Sequence, residues 1–258
     1  MALLEVDELS KFFGGLAAIS DLSFRVNKGE ILGLIGPNGA GKTTLFNVIT
    51  GVYRPSRGRI RFNDEDLVGS PPYAIAKKGI ARTFQSTILY REMTVLENVL
   101  VGTHLQINLS FWGALLNSKG YCSMEDGSGQ KALEIIAFMG LNEVKEVRAK
   151  NLPHGHQRKL GVCIALVTRP ELLLLDEPVT GMNPVESTDM IKHIKKIQNQ
   201  LGITIVIIEH NMKALMGLSD RIVAINYGQL IAEGLPQEVR QNEQVIEAYL
   251  GREEGGER

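Results

Sequence analysis

Apolar residues in this chain fall into runs with different periods. Ile31 to Ile35 and Glu171 to Leu175 are short and almost wholly apolar, and Ile203 to Ile208 is a near-continuous β-branched run. Such runs predict strands covered on both faces, as in a parallel sheet. Phe24 to Val26 is a further strand candidate. Arg59-Ile60-Arg61-Phe62 alternates with period two and runs into Asn63-Asp64, a turn signal. Ile222 to Ile225, Tyr227-Gly228 and Gln229 to Ala232 read as a hairpin.

Helical spacing takes over elsewhere. Val95, Leu96, Val99 and Leu100 recur every three or four residues between Thr94 and His104, with Thr94 placed to cap the helix and Glu97 three residues on. Gln130 to Met139 and Leu160 to Val167 are helical, and Pro184 to Gln200 is an amphipathic helix with proline in its first turn. Residues 105–129, with Gly113, Gly120, Gly127 and Gly129, read as an inserted surface subdomain, helical in part. Strands alternating with helices predict an α/β domain with a mainly parallel sheet.

Composition narrows the picture. At 258 residues the chain has room for one elaborated domain or a core with a subdomain. Lys and Arg number 28 against 29 Asp and Glu. That balance argues against a nucleic-acid-coating protein and gives no reason to expect a nucleic-acid partner. The two cysteines, Cys122 and Cys163, cannot form a disulfide framework. No apolar run approaches the ~20 residues that span a bilayer, and acids near the start do not fit a signal peptide. The expectation is a water-soluble chain in a reducing compartment.

The candidate chemistry begins where the first buried strand ends. Gly36-Pro37-Asn38-Gly39-Ala40-Gly41-Lys42-Thr43, followed by Thr44 and an apolar helix, has the spacing G-x-x-x-x-G-K-[ST] between strand and helix. Glycines let the backbone curl so that successive N–H groups face phosphate oxygens, and the helix adds its positive end. Lys42 can reach the β- and γ-phosphates of a nucleoside triphosphate, and the Thr43 hydroxyl can ligate Mg²⁺. Leu172-Leu173-Leu174-Leu175-Asp176-Glu177 places two acids at the C-terminal end of another buried strand, the edge where open α/β sheets bind ligands. Asp176 would hold Mg²⁺ through its water shell, and Glu177 would polarise an attacking water. His210 ends the Ile203 to Ile208 strand in the same way and can sense the γ-phosphate.

With these motifs in this order the chain resembles the ATP-binding subunits of ABC transporters over nearly its whole length, most closely the ATPases of branched-chain amino-acid importers. Less generic stretches carry the narrower resemblance: Arg82-Thr83-Phe84-Gln85 followed by Met93 to Val99, the insertion at 105–129, Gly181-Met182-Asn183-Pro184, Ile207 to Met212 and Val245 to Gly251. Importers of urea and short amides share the pattern.

The resemblance implies a P-loop NTPase core of ABC type with an antiparallel β subdomain and a helical subdomain. It divides the chain into 1–84 with 157–236 as the core, 85–156 as the helical subdomain including insertion 105–129, and 237–258 as a C-terminal helix and tail. It implies ATP and Mg²⁺ as cofactors, makes Gln85 a contact to metal or attacking water, and makes Phe13, with Phe12 as competitor, the ring that stacks on adenine. It also implies permease subunits, a second ATP-binding subunit in a homo- or heterodimer, an extracytoplasmic solute-binding protein, and a peripheral place on the cytoplasmic face of the membrane. Leu89, Tyr90 and Met93 are then candidates for the permease-facing surface.

Two stretches depart from the family pattern. Leu152-Pro153-His154-Gly155-His156 stands where Leu-Ser-Gly-Gly-Gln is usual, so the hydroxyl that would meet the partner subunit's ATP is gone. Pro153 also lacks an N–H, and His154 is bulky where glycine allows close approach. The Gly155 amide and the helix that follows still offer a trans phosphate contact. Thr180-Gly181-Met182-Asn183 replaces Ser-Ala-Leu-Asp, keeping a hydrogen-bonding side chain without its charge.

Overall fold

The computed structural model describes residues 1–83, 89–103 and 119–250. The chain opens with two long strands, β1 (Ala2–Phe13) and β2 (Leu16–Asn27), which join β4 (Arg57–Phe62) and β5 (Glu65–Asp66) in an antiparallel sheet ordered β2-β1-β4-β5. The sequence reading finds only Phe24 to Val26 of β2 and delimits no strand in β1, because their pairing shifts register at several points between Ala2 and Phe12. Each bulge flips the alternation of inward and outward side chains. Glu8 and Asp21, on β1 and β2, take positive φ.

The second sheet has six strands in the order β10-β9-β3-β8-β7-β6. They are β3 (Ile31–Ile35), β6 (Ile80–Thr83), β7 (Leu172–Asp176), β8 (Thr204–Ile208), β9 (Arg221–Asn226) and β10 (Gln229–Gly234). All neighbours run parallel except the β9–β10 hairpin. Every residue of β3, β7 and β8 is buried, which explains their unbroken apolar sequences.

Two cores divide the faces of this sheet. Leu32, Leu34, Leu172, Leu174, Val206 and Ile208 point to the antiparallel sheet and to α1 (Lys42–Ile49). Ile31, Ile35, Leu173, Leu175, Ile205 and Ile207 point the other way, into a helical layer. That layer includes α3 (Val95–Thr103), α4 (Lys119–Phe138), α5 (His154–Leu166), α6 (Pro184–Leu201) and α7 (Met212–Leu218). A short α2 (Pro72–Lys77) precedes β6, and α8 (Pro236–Gln241) and α9 (Glu243–Leu250) close the described chain.

Capping chemistry acts where the sequence places it. Thr94 Oγ1 accepts the Glu97 N–H while Glu97 Oε2 accepts the Thr94 N–H, and Asn183 with Glu186 forms the same reciprocal cap on α6. Buried Asn98 ties down the preceding loop through Tyr90 N and O, Met93 O and Thr94 O. The structure departs from the sequence reading at two helix starts. Helix α4 begins at Lys119 rather than Gln130, running through Gly120, Gly127 and Gly129, whose low propensity hides the helix from a residue-by-residue reading. Helix α5 begins at His154, six residues before the apolar spacing becomes legible. The rest of the expected insertion, 105–118, lies outside the described residues.

Candidate functional site

The site lies at the C-terminal edge of β3, β7 and β8, where three chain segments leave the sheet side by side. After β3 the chain curls through residues 36–41 into α1. Gly36 has φ 156°, and a Cβ there would sit 2.2 Å from the Ile225 carbonyl oxygen. Gly41 has φ 103° and faces the Ala18 carbonyl of β2 at 2.4 Å from the same hypothetical atom. Only glycine fits both conditions. The curl is braced from outside: Ala40 N–H donates to Pro37 O, Gly228 N–H to Ala40 O, and Ser20 N–H to Gly228 O. The turn of the β9–β10 hairpin thus supports the loop.

Inside the curl, Lys42 is buried and its Nζ donates to Gly36 O at 2.6 Å and Pro37 O at 2.9 Å. Burial lowers the pKa of this amine below its ordinary value, and the nearby Glu177 and Asp176 carboxylates act in the opposite sense. Asn38, Gly39 and Thr43 are exposed, and Gly41 and Thr44 are partly so. Among the described residues the amides of Asn38, Gly39 and Gly41 have no backbone partner. Open amides, a helix N-terminus and one lysine form a cradle whose chemistry fits phosphate oxygens.

Asp176 ends β7 beneath this loop. Its Oδ2 pairs with Arg82 Nη2 at 2.8 Å, with both side chains about 95% buried. Arg82 also donates from Nη1 to Asn47 Oδ1 of α1 at 2.6 Å and lies 5.4 Å from the centre of the Phe46 ring. One guanidinium therefore ties β6, β7 and α1 together. With the Thr43 hydroxyl, Asp176 supplies the hard oxygen donors suited to Mg²⁺, which usually takes few protein ligands beside phosphates and waters.

Glu177 follows in a left-handed conformation, φ 51°, which turns the chain sharply at the strand end. Its Oε1 meets His210 Nε2 at 2.7 Å, and its Oε2 accepts the Thr180 hydroxyl at 3.3 Å. Next to His210, Glu209 is buried, and its Oε1 accepts the Val179 N–H at 2.7 Å. Burial raises its pKa above the usual carboxylate range, while the amides of Val179, Asn211 and His210 act against that shift. Glu209 clasps the turn after β7 to the turn after β8, and so holds Glu177 and His210 in register. Sequence reasoning assigned roles to neither Arg82 nor Glu209. Their motifs were visible, but their partners are remote in the chain.

At the rim, the β1–β2 hairpin carries Phe13. Its ring meets Tyr53 edge-on at 5.2 Å, and Lys11 Nζ lies 4.9 Å from its centre. Phe12 is also exposed, but its amide donates to Ser56 Oγ, and among the described residues no ring contact involves it. Gln85 lies outside the described residues, 84–88 being absent from that set. Pro153 caps α5, so Gly155 falls in the first helical turn. A Cβ on Gly155 would sit 2.9 Å from the Glu186 carboxylate, and one on Gly181 would sit 3.1 Å from the His154 ring. The stretch 152–156 thus packs against the turn 180–186.

The chain's likeness to known proteins agrees with this geometry. A model described as ABC transporter matches residues 19–180, and one described as branched-chain amino acid ATP-binding cassette transporter matches 229–255. The high-affinity branched-chain amino acid transport ATP-binding protein LivG of Salmonella typhimurium is 43% identical over 96% of this chain and 98% of its own length. BraF of Pseudomonas aeruginosa, described in the same words, is 41% identical over the same shares. A nucleotide-free ATP-binding cassette from an ABC transporter superposes with a TM-score of 0.85 at 34% identity, covering 97% of this chain and all of that one. A cassette in its ADP conformation gives the same score and identity.

Proposed function

This chain belongs to the ABC transporter family of ATP-binding proteins, and from that premise we propose that it is the ATP-hydrolysing subunit of an importer for branched-chain amino acids or similar small polar solutes. One observation carries the hydrolytic part of this reading. Glu177 and His210, from the turns after β7 and β8, meet at 2.7 Å beside the Gly36–Thr43 loop, where a γ-phosphate and its attacking water belong.

The residues divide the work. The amides and side chains of Gly36, Pro37, Asn38, Gly39, Ala40, Gly41, Lys42, Thr43 and Thr44 cradle the phosphates. Lys42 exchanges its carbonyl partners for phosphate oxygens and regains a strong reason to stay charged. Thr43 would ligate Mg²⁺ and Asp176 would hold it through its water shell, with Gln85 assigned to the metal or the water by family pattern. The chemistry that Mg²⁺ would supply here is to offset charge developing on the phosphate oxygens. Glu177 accepts the proton of the attacking water, and His210 reads the γ-phosphate. Phe13, already set against Tyr53, offers its face to adenine.

The chain supplies half of each composite site. The Gly155 amide and the start of α5 reach the nucleotide of a second ATP-binding subunit in trans, so two cassettes close over two ATP molecules and reopen after hydrolysis. Residues 1–84 and 157–236 bind and hydrolyse, 85–156 carry the trans contact, and 237–258 form the C-terminal helix and tail. Among the described residues no helix is long and apolar enough to cross a membrane. The motion is delivered to separate permease chains from a peripheral position at the cytoplasmic face, with an extracytoplasmic binding protein selecting the solute. Tyr90 and Met93 are exposed on the loop held by Asn98, whereas Leu89 is partly buried against the helical-side core. A cavity of about 340 Å³ between α2 and α5, walled by Val52, Ile75, Ile80 and Ile164, gives a permease segment an apolar seat.

ATP turnover by the reconstituted transporter tests the reading. Glu177→Gln lowers turnover by ~10²-fold or more while ATP binding persists. Turnover retained in that variant removes Glu177 from its role.

A further inference from the structure

Tyr249, in the last turn of α9, accepts the Gly36 N–H on its hydroxyl oxygen at 2.8 Å. The two residues are 213 positions apart. Gly36 is the first residue of the phosphate loop, at the point where β3 leaves the sheet. One side of it abuts the Ile225 carbonyl so closely that a Cβ would overlap. Its amide, which no neighbouring strand takes, is met by the tyrosine. The amides of Asn38, Gly39 and Gly41 farther round the loop stay open, as noted above, so α9 fixes the base of the curl without occupying its phosphate-facing part.

The clasp is built rather than incidental. Helix α9 is seated by buried Val245 and capped by Asn242, whose Oδ1 accepts the Gln244 and Val245 amides. The Tyr249 residue is 41% exposed overall, so part of it faces solvent while its hydroxyl reaches the loop. Burial raises the phenol above its ordinary pKa, keeping a neutral hydroxyl against the amide. Helix α9 and its Asn242 cap lie in the segment 229–255 that matches the branched-chain cassette model.

We propose that the C-terminal helix is a clasp on the phosphate loop, with Tyr249 as a positioning residue that holds Gly36 and so sets the loop's readiness for nucleotide. This rests on the reading of residues 36–43 as the nucleotide site. Linkage is reciprocal: if docking of α9 favours nucleotide, nucleotide must favour docking of α9.

The test compares the full chain with its Tyr249→Phe variant, which keeps the ring and removes the hydroxyl. Amide hydrogen exchange at Gly36, followed by NMR without nucleotide, reads the clasp directly. Titration with a fluorescent ATP analogue reads its consequence. Loss of one such hydrogen bond predicts exchange and Kd each rising ~3- to 10-fold. KM for ATP rises by more than kcat falls, a split that general destabilisation would not give. In the wild type, saturating ADP slows exchange of the last-turn α9 amides, and in Tyr249→Phe this protection shrinks. Unchanged Gly36 exchange overturns the clasp, and faster exchange with unchanged Kd overturns its link to nucleotide. Lys42→Ala separates the two readings: if it binds nucleotide like wild type, the phosphate-loop assignment fails, while the exchange measurement still decides the clasp.

Discussion

Arg82→Met is the substitution that most sharply probes how the site is assembled. It keeps an apolar stem in a buried place and removes the charge that faces Asp176 at 2.8 Å and Asn47 at 2.6 Å. The pair is shielded from water on both sides, so the weak energetics of surface ion pairs do not apply. Breaking a buried pair by removing one partner costs about 3–5 kcal/mol, because the remaining charge is left uncompensated. For a domain of this size each kcal/mol moves Tm by about 2–4 °C, so nucleotide-free Arg82→Met should melt about 6–20 °C below wild type.

Calorimetry on the four members of the cycle formed with Asp176→Asn is the assay. Removing the carboxylate in the Met background should recover most of the loss, giving a coupling of about 2 kcal/mol or more. If Asp176 holds Mg²⁺ as proposed, Mg²⁺ with ATP should also protect Arg82→Met more than wild type, because the metal would give Asp176 another positive partner. A melting point within about 2 °C of wild type would refute the reasoning. So would a double variant no more stable than the single one.

Glu209 gives a pH prediction. Burial raises its pKa in the folded chain, so the folded state holds this proton more tightly than the unfolded state does. The resulting stability is complete below the ordinary carboxylate range and is lost as pH rises through the raised value. Glu209→Gln lacks that dependence, so the Tm of wild type minus variant should be larger at pH ~5 than at pH ~7.5, and a flat difference would contradict it. The same variant should slow turnover if Val179 and His210 lose register. Phe13→Ala should weaken ATP binding by ~5- to 10-fold and leave triphosphate alone unaffected, measured by competition, whereas Phe12→Ala should change little.

Much of the fold was legible in the sequence because its signals are local. The phosphate curl, its strand and its helix are contiguous, and the acids at 176–177 follow an apolar run that can only be a buried strand. Thr94 with Glu97 announced its own cap. What was not legible depends on distant partners or on broken periodicity. The bulges of β1 and β2 erased the alternation that would have given their full length. Glycines concealed the start of α4. Arg82 sits inside a visible motif, yet its partner Asp176 is 94 residues away. Tyr249 falls within the Val245 to Gly251 stretch, but nothing local there points to Gly36, 213 positions away. The family resemblance favoured Phe13 with Phe12 as competitor, and the contacts with Tyr53 and Lys11 set Phe13 apart in space.

The central claim is that the curl at 36–43 grips a triphosphate, with Asp176, Glu177 and His210 gathered at its γ end. A crystal structure of Glu177→Gln grown with Mg²⁺ and ATP tests it most directly. The account predicts β- and γ-phosphate density against the loop amides and Lys42 Nζ, with Gly155 of a second cassette facing the same γ-phosphate. Triphosphate density elsewhere on the chain, or an empty loop at saturating ATP, would contradict it.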